Sequence, residues 1–127
     1  MKSTNHAKYN INYHIVWIPK YRKQTLVGEL KERLENILYE IAKGRKIEVL
    51  GLEIQPDHIH LFISSPPANS PALLVNWFKG ISARFYNHRF GKTIKWTRSY
   101  YVGTAGTVTS ETIKRYIEQQ KTKRDED

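Results

Sequence analysis

The sequence of 127 residues contains no cysteine, which removes disulfide frameworks and thiolate zinc sites from consideration. No apolar stretch is long enough to span a bilayer, and the opening MKSTNHAKYN carries no apolar run, so a cytoplasmic, nucleoid-associated protein with no membrane partner is expected. There is no GxxxxGK loop, and with it goes the expectation of a nucleotide cofactor. No segment repeats, and the length suits one domain, residues 1–127, with a single modest core.

Acidic residues are the most telling shortage. Residues 1–23 hold five basic side chains and no carboxylate, and residues 58–110 hold six and again none. The stretch between, 24–57, keeps seven of the twelve carboxylates, while the tail 121–127 balances three against three. The formal net charge is +9. Such segregation predicts a positive surface built from the N-terminal segment and the second half of the chain. Basic side chains gain by releasing counterions from a nucleic-acid backbone. Nucleic acid is therefore favoured over a mere solubility surplus, and no helix pairs a basic face with a strongly apolar one as a membrane surface would require.

Residues 11–18 alternate and are rich in β-branched and aromatic types, which reads as a strand, followed by a basic loop, Pro19-Lys20-Tyr21-Arg22-Lys23. Helical spacing of Val27, Leu30, Leu34, Ile37, Leu38 and Ile41 predicts a helix over 26–43 that stops at Gly44. Residues 47–54 and 58–64 form a hairpin around Gln55-Pro56-Asp57. Ser70-Pro71 starts a second helix, striped by Leu74, Trp77, Phe78, Ile81 and Phe85, that ends near Gly91. Residues 93–102 read as a fourth strand, 103–106 as a glycine connector and 109–121 as a last helix. The order β-α-β-β-α-β is that of an α+β, ferredoxin-like (RRM-like) antiparallel sheet with its helices on one face. The last helix is the piece available to cover the other face.

On the third strand Ile59, Leu61 and Ile63 should face the helices, leaving His58, His60 and Phe62 opposite. Strand geometry puts His58 and His60 about 7 Å apart at Cα and pointing the same way. Two such imidazoles can converge on one divalent cation, or simply make ordinary hydrogen bonds. On the last helix Tyr116 and Gln120 are four apart and share a face. Tyr116 can be a nucleophile or an aromatic anchor, and Gln120 a metal ligand or a solvated amide.

Four segments in order, YHIVWIPKYRK (13–23), QPDHIHLFIS (55–64), LVNWFKGISARF (74–85) and WTRSYYVGTAGTVTSETIKRYIEQQ (96–120), resemble the single-tyrosine HUH transposases of small insertion sequences that move as single-stranded DNA. REP-associated tyrosine transposases are close relatives of that family. The resemblance implies that His58 and His60 bind a divalent metal, Mg2+ or Mn2+, that Gln120 completes its shell, and that Tyr116 is the nucleophile. It implies attack on a single-stranded phosphodiester at an element end, a 5′-phosphotyrosine intermediate with a free 3′-hydroxyl, and then strand transfer. It further implies a DNA hairpin as partner and a homodimer whose tyrosine helices act in trans, for which the strand 11–18 offers a candidate edge. The chain ends soon after the tyrosine helix, so contacts from a longer tail are not expected.

For DNA contacts the sequence offers Lys20, Arg22 and Lys23 in the first loop and Lys79, Arg84, Arg89 and Arg98 in the second half. Tyr21, Trp77, Tyr86 and Trp96 are candidates for base stacking, with Trp77 also on the apolar stripe. Competing readings are a domesticated nuclease acting on host repeat hairpins, an RRM-like RNA-binding module, and a metal-independent RNA endonuclease with His58 or His60 as acid and base.

Overall fold

The computed structural model describes residues 11–91, 94–104, 111, 115, 116 and 118, together with the backbone of 2–3 and 8–9. Two short strands, β1 (Lys2–Ser3) and β2 (Lys8–Tyr9), pair with each other. The main sheet comprises β3 (Asn12–Trp17), β4 (Glu48–Gln55), β5 (His58–Ser64) and β6 (Tyr101–Thr104), ordered β4-β5-β3-β6 with every neighbour antiparallel. The expected α+β architecture on an antiparallel sheet is present.

The hairpin closes as its turn residues dictate, Gln55 opposite His58 across Pro56-Asp57. Along β4 the alternation of EVLGLEIQ breaks at Leu50, where the register shifts between Val49 and Gly51 and an extra residue bulges from this edge strand. Helix α1 (Gly28–Gly44) buries Leu34, Ile37, Leu38 and Ile41, the stripe visible in its sequence. The chain departs from it directly after Gly44, but Lys46 rather than that glycine takes the left-handed conformation, at φ 57°.

Helix α2 (Pro71–Val75) starts as expected, with Ser70 Oγ accepting from the Leu73 amide at 3.1 Å. It then widens into a π-helical stretch, Asn76–Ile81, before α3 (Ser82–Phe90). The carbonyl of Lys79 in that stretch accepts the indole N–H of Trp96 at 2.8 Å and the hydroxyl of Ser82 at 3.0 Å. The widening is thus tied to a residue distant in sequence, which a helical stripe cannot reveal.

Three expectations are corrected. The last strand begins at Tyr101, and Trp96 makes only an isolated bridge to Pro19. Residues 94–97 bond instead to irregular partners, Ile94 N to Asn87 Oδ1 at 2.6 Å and Thr97 N to the Ile18 carbonyl at 3.1 Å, so no ladder forms; Thr93 lies outside the described residues. Gly103, expected in a connector, sits inside β6 opposite His14, and Gly106 lies outside the described residues. Finally, β3 cannot serve as a dimer edge. It is hydrogen-bonded on both sides, to β5 and β6, which among the described residues leaves β4 and β6 as the edges.

Both helical layers pack on one face of this sheet. Ile15, Trp17, Ile59, Leu61 and Ile63 form a continuous core with Leu34 and Ile41 of α1 and with Leu74, Phe78 and Tyr86 of the second helical run. The opposite face carries His14, Val16, His58, His60 and Phe62. A second, small cluster there joins Val16 and Ile18 to Tyr116, which covers that part of the face. Among the described residues no helix is long and apolar enough to cross a membrane.

Candidate active site

Three imidazoles form a row on the face that the helices leave open. The rings of His58 and His60 lie 4.7 Å apart between centroids, and those of His60 and His14 5.4 Å apart. Nδ1 of His60 is 3.3 Å from Nε2 of His14. Burial pushes His60 down to about 4, helped by positive charge on its two histidine neighbours and opposed by Glu53 across the strand pair. Burial lowers His14 as well. These two rings are therefore neutral at neutral pH, with lone pairs available. The sequence reading missed His14; its one signal is its place on the alternate positions of β3 that face away from the helices.

His58 is anchored from behind. Its Nδ1 lies 2.8 Å from Oδ1 of Asp57, whose Oδ2 accepts from Nε of Arg22 at 2.9 Å. Burial alone would raise the Asp57 carboxyl, but the hydrogen bonds and charges of His58 and Arg22 outweigh it and hold the group below the usual carboxylate range. An ionised carboxylate only accepts, so Nδ1 of His58 donates to it. A histidine held by a carboxylate on one nitrogen is how protein metal ligands are commonly oriented. Thus His58 and His60 each have Nδ1 engaged, and their donor chemistry fits a divalent metal. Among the described residues no three His, Cys, Asp or Glu side chains form a group able to hold one. The expected third ligand, Gln120, is an amide and lies outside the described residues.

Tyr116 stands on the same sheet face. Its side chain is 8% exposed, packed on Val16, the cross-strand partner of His60, and beside the ring of Tyr101 at 6.1 Å. Its hydroxyl lies 3.2 Å from Oγ of Ser99, in the segment that leads into β6. Strands β5 and β6 flank β3, so the strands nearest the two chemical groups are about 10 Å apart. Helical residues Glu111 and Arg115, paired at 3.3 Å, share the tyrosine's segment.

The basic residues divide by occupation. Arg22 belongs to the Asp57 pair, and Arg89 is bidentate to Glu40 at 2.8 and 2.9 Å and stacked on Phe85. Lys20 and Lys23 lie over the exposed ring of Tyr21, at 5.5 and 6.0 Å. Lys79 donates to the Ser99 carbonyl at 3.2 Å, and Arg84 and Arg98 are exposed. Two cavities meet at Trp96: one of about 380 Å³ beside Tyr21 and Lys95, and an open groove of about 470 Å³ lined by Lys79, Arg98 and Tyr100. Of the stacking candidates, Tyr86 is corrected: it is 1% exposed and belongs to the core. Trp77 is half-buried under Arg45, while Tyr21 and Trp96 line the first cavity.

Residues 7–120 match the family model described as "Transposase IS200 like". The chain is 36% identical to the ISDra2 transposase TnpA of Deinococcus radiodurans, over 94% of this chain and 91% of that protein. It is 35% identical to the transposase for insertion sequence element IS200 of Salmonella typhimurium, over 94% of this chain and 82% of that one. A crystal structure of a candidate transposase from Deinococcus radiodurans superposes with a TM-score of 0.84 at 35% identity, covering 94% of this chain and 98% of the other. The structure of a REP-associated tyrosine transposase bound to a REP hairpin shares the fold, with a TM-score of 0.58 at 13% identity over 90% of this chain and 68% of that one.

Proposed function

The chain belongs to the IS200-like transposase family, and from that membership we propose that it cuts and rejoins single-stranded DNA at element ends, with Tyr116 as nucleophile. The observation that carries this reading is the shared sheet face. His58 and His60 present ring nitrogens there, and the one tyrosine on the last helical segment is seated on the same surface. Relatives named as transposases support DNA as the substrate class, and the neighbour bound to a REP hairpin suggests that a folded DNA end is part of it.

In this reading Nε2 of His58, Nε2 of His60 and the amide oxygen of Gln120 would hold Mg2+ or Mn2+. Bound there, the metal would act as a Lewis acid on a non-bridging oxygen of the scissile phosphate. Arg22 and Asp57 fix the ring of His58, and His14 orients His60. The phenolic oxygen of Tyr116 attacks phosphorus in line, its proton leaves, and the P–O3′ bond breaks. The products are a 5′-phosphotyrosine and a 3′-hydroxyl that takes up a proton. Because bond energy is kept in the phosphotyrosine, a different 3′-hydroxyl can reverse the step and join new ends without a nucleotide cofactor.

The seat of the Tyr116 hydroxyl on Ser99, on the β6 side of the sheet, supports delivery of the tyrosine by movement of its helix or from a second protomer. A homodimer with composite sites in trans is the arrangement we favour, its contact using the edges β4 or β6. The test is to incubate the protein with single-stranded oligonucleotides from the DNA flanking its gene, with Mn2+ or EDTA, and to run denaturing gels. A metal-dependent covalent adduct that disappears in Tyr116→Phe is expected. Cleavage persisting in EDTA or in Tyr116→Phe would overturn the assignment.

A further inference from the structure

We infer that the cavity of about 380 Å³ between the first loop and the segment before β6 is a binding site for one unpaired nucleobase of the DNA strand, with Tyr21 as its stacking platform. This rests on the single-stranded DNA reading above and adds to it a base-contacting site on the protein.

The chemistry of the walls points to a nucleotide. Lys20, Lys23 and Lys95 supply positive charge, Tyr21 and Trp96 supply aromatic surface, Leu26 adds an apolar wall, and among the described residues no acidic side chain lines the cavity. The volume falls in the range of small-molecule sites and has room for a base and its sugar. Stacking on an aromatic face with lysines at its margin is how single strands are held without sequence readout. Tyr21 is 44% exposed and already lies under two ammonium groups, at 5.5 and 6.0 Å, which suits a ring presented for stacking between phosphate contacts.

Backbone strain is a second, independent observation. Tyr21 and Arg22 are consecutive non-glycine residues in the left-handed region, at φ 61° and 52°. Such conformations cost energy and persist where the surroundings hold them. Here the loop is held at three points: Lys20 N to the Lys95 carbonyl at 2.9 Å, Leu26 N to the Pro56 carbonyl at 3.0 Å, and Arg22 to Asp57. The paired bend turns the Tyr21 ring outward to the cavity while sending the Arg22 guanidinium to the carboxylate that orients His58. A base in this cavity would thus stack on a loop tied, through Arg22 and Asp57, to His58.

The experiment compares two probes in EDTA at fixed salt by fluorescence anisotropy. One is an oligothymidylate of about 20 nucleotides, longer than the about 4–16 nucleotides one small domain covers. The other is an abasic sugar–phosphate strand of equal length. The wild type is expected to prefer the strand with bases, and Tyr21→Ala to lower that preference by about 5- to 150-fold while binding the abasic strand as before. Tyr21→Phe, which keeps the ring, should retain the preference. Equal preference in wild type and Tyr21→Ala would overturn the cavity while leaving the single-stranded DNA reading intact. Failure of the wild type to bind either strand would overturn both.

Discussion

At the scale of single residues, the site is a set of rings whose second nitrogens are already spoken for. Asp57 holds His58 on one side and Arg22 on the other, so its loss should disorient the proposed metal ligand without opening the core. Asp57→Ala is expected to weaken Mn2+ binding about 10- to 100-fold, measured by titration calorimetry in the absence of DNA. Tyr116→Phe keeps the ring on Val16 and Ile18 and gives up the bond to Ser99, about 0.5–1.5 kcal/mol. Its folding should be close to wild type, read by thermal melts, while adduct formation falls by about 1,000-fold or more. His60 stands near 4 in the fold against 6.5 when unfolded, so between those values the unfolded chain binds more protons. In EDTA the melting temperature should therefore fall as pH drops from about 6.5 towards 4, with His14 acting in the same sense. A His60→Asn variant should show a shallower fall. That His58 and His60 share the face away from the helices was legible from alternation, whereas their proposed role came from the family resemblance. His14 and Ser99 were not legible, because a period of two gives the face of a side chain but not which rings converge from different strands.

Among the elements, the local ones could be read and the non-local ones could not. The hairpin, the Ser70 cap and the stripe of α1 follow from neighbours in sequence and stand as expected. The central position of β3, the late start of β6 and the π-helical stretch depend on partners tens of residues away. Trp96 illustrates the point. In sequence it belongs to the stretch 93–102 that reads as a strand, yet its indole N–H satisfies the carbonyl of Lys79 inside the widened helix. It also meets Trp17 edge-on at 6.0 Å. Trp96→Phe removes that hydrogen bond and some packing, and is expected to cost about 1–3 kcal/mol in denaturant unfolding. A change within about 0.5 kcal/mol would show that the π stretch does not depend on this contact.

At the scale of the molecule, the depletion of carboxylates from 1–23 and 58–110 becomes a surface once the loop after β3 and the segment before β6 come together. Two of the seven basic candidates pair with carboxylates, Arg22 with Asp57 and Arg89 with Glu40, and Lys79 donates to the Ser99 carbonyl. Lys20, Lys23 and Arg84, if each neutralises one phosphate, give a slope of log K against log salt of about −2.1 for single-stranded DNA. Lys23→Ala should reduce it by about 0.7, whereas Arg89→Ala should leave it unchanged. The most direct measurement concerns the covalent adduct itself: isolate it from a Mn2+ reaction, digest with trypsin and nuclease, and sequence the modified peptide by mass spectrometry. Cleavage after Arg115 should release residues 116–121 carrying a nucleotide phosphate on Tyr116. A nucleotide on any other residue, or DNA cut with no protein attached, would contradict the nucleophile assigned here.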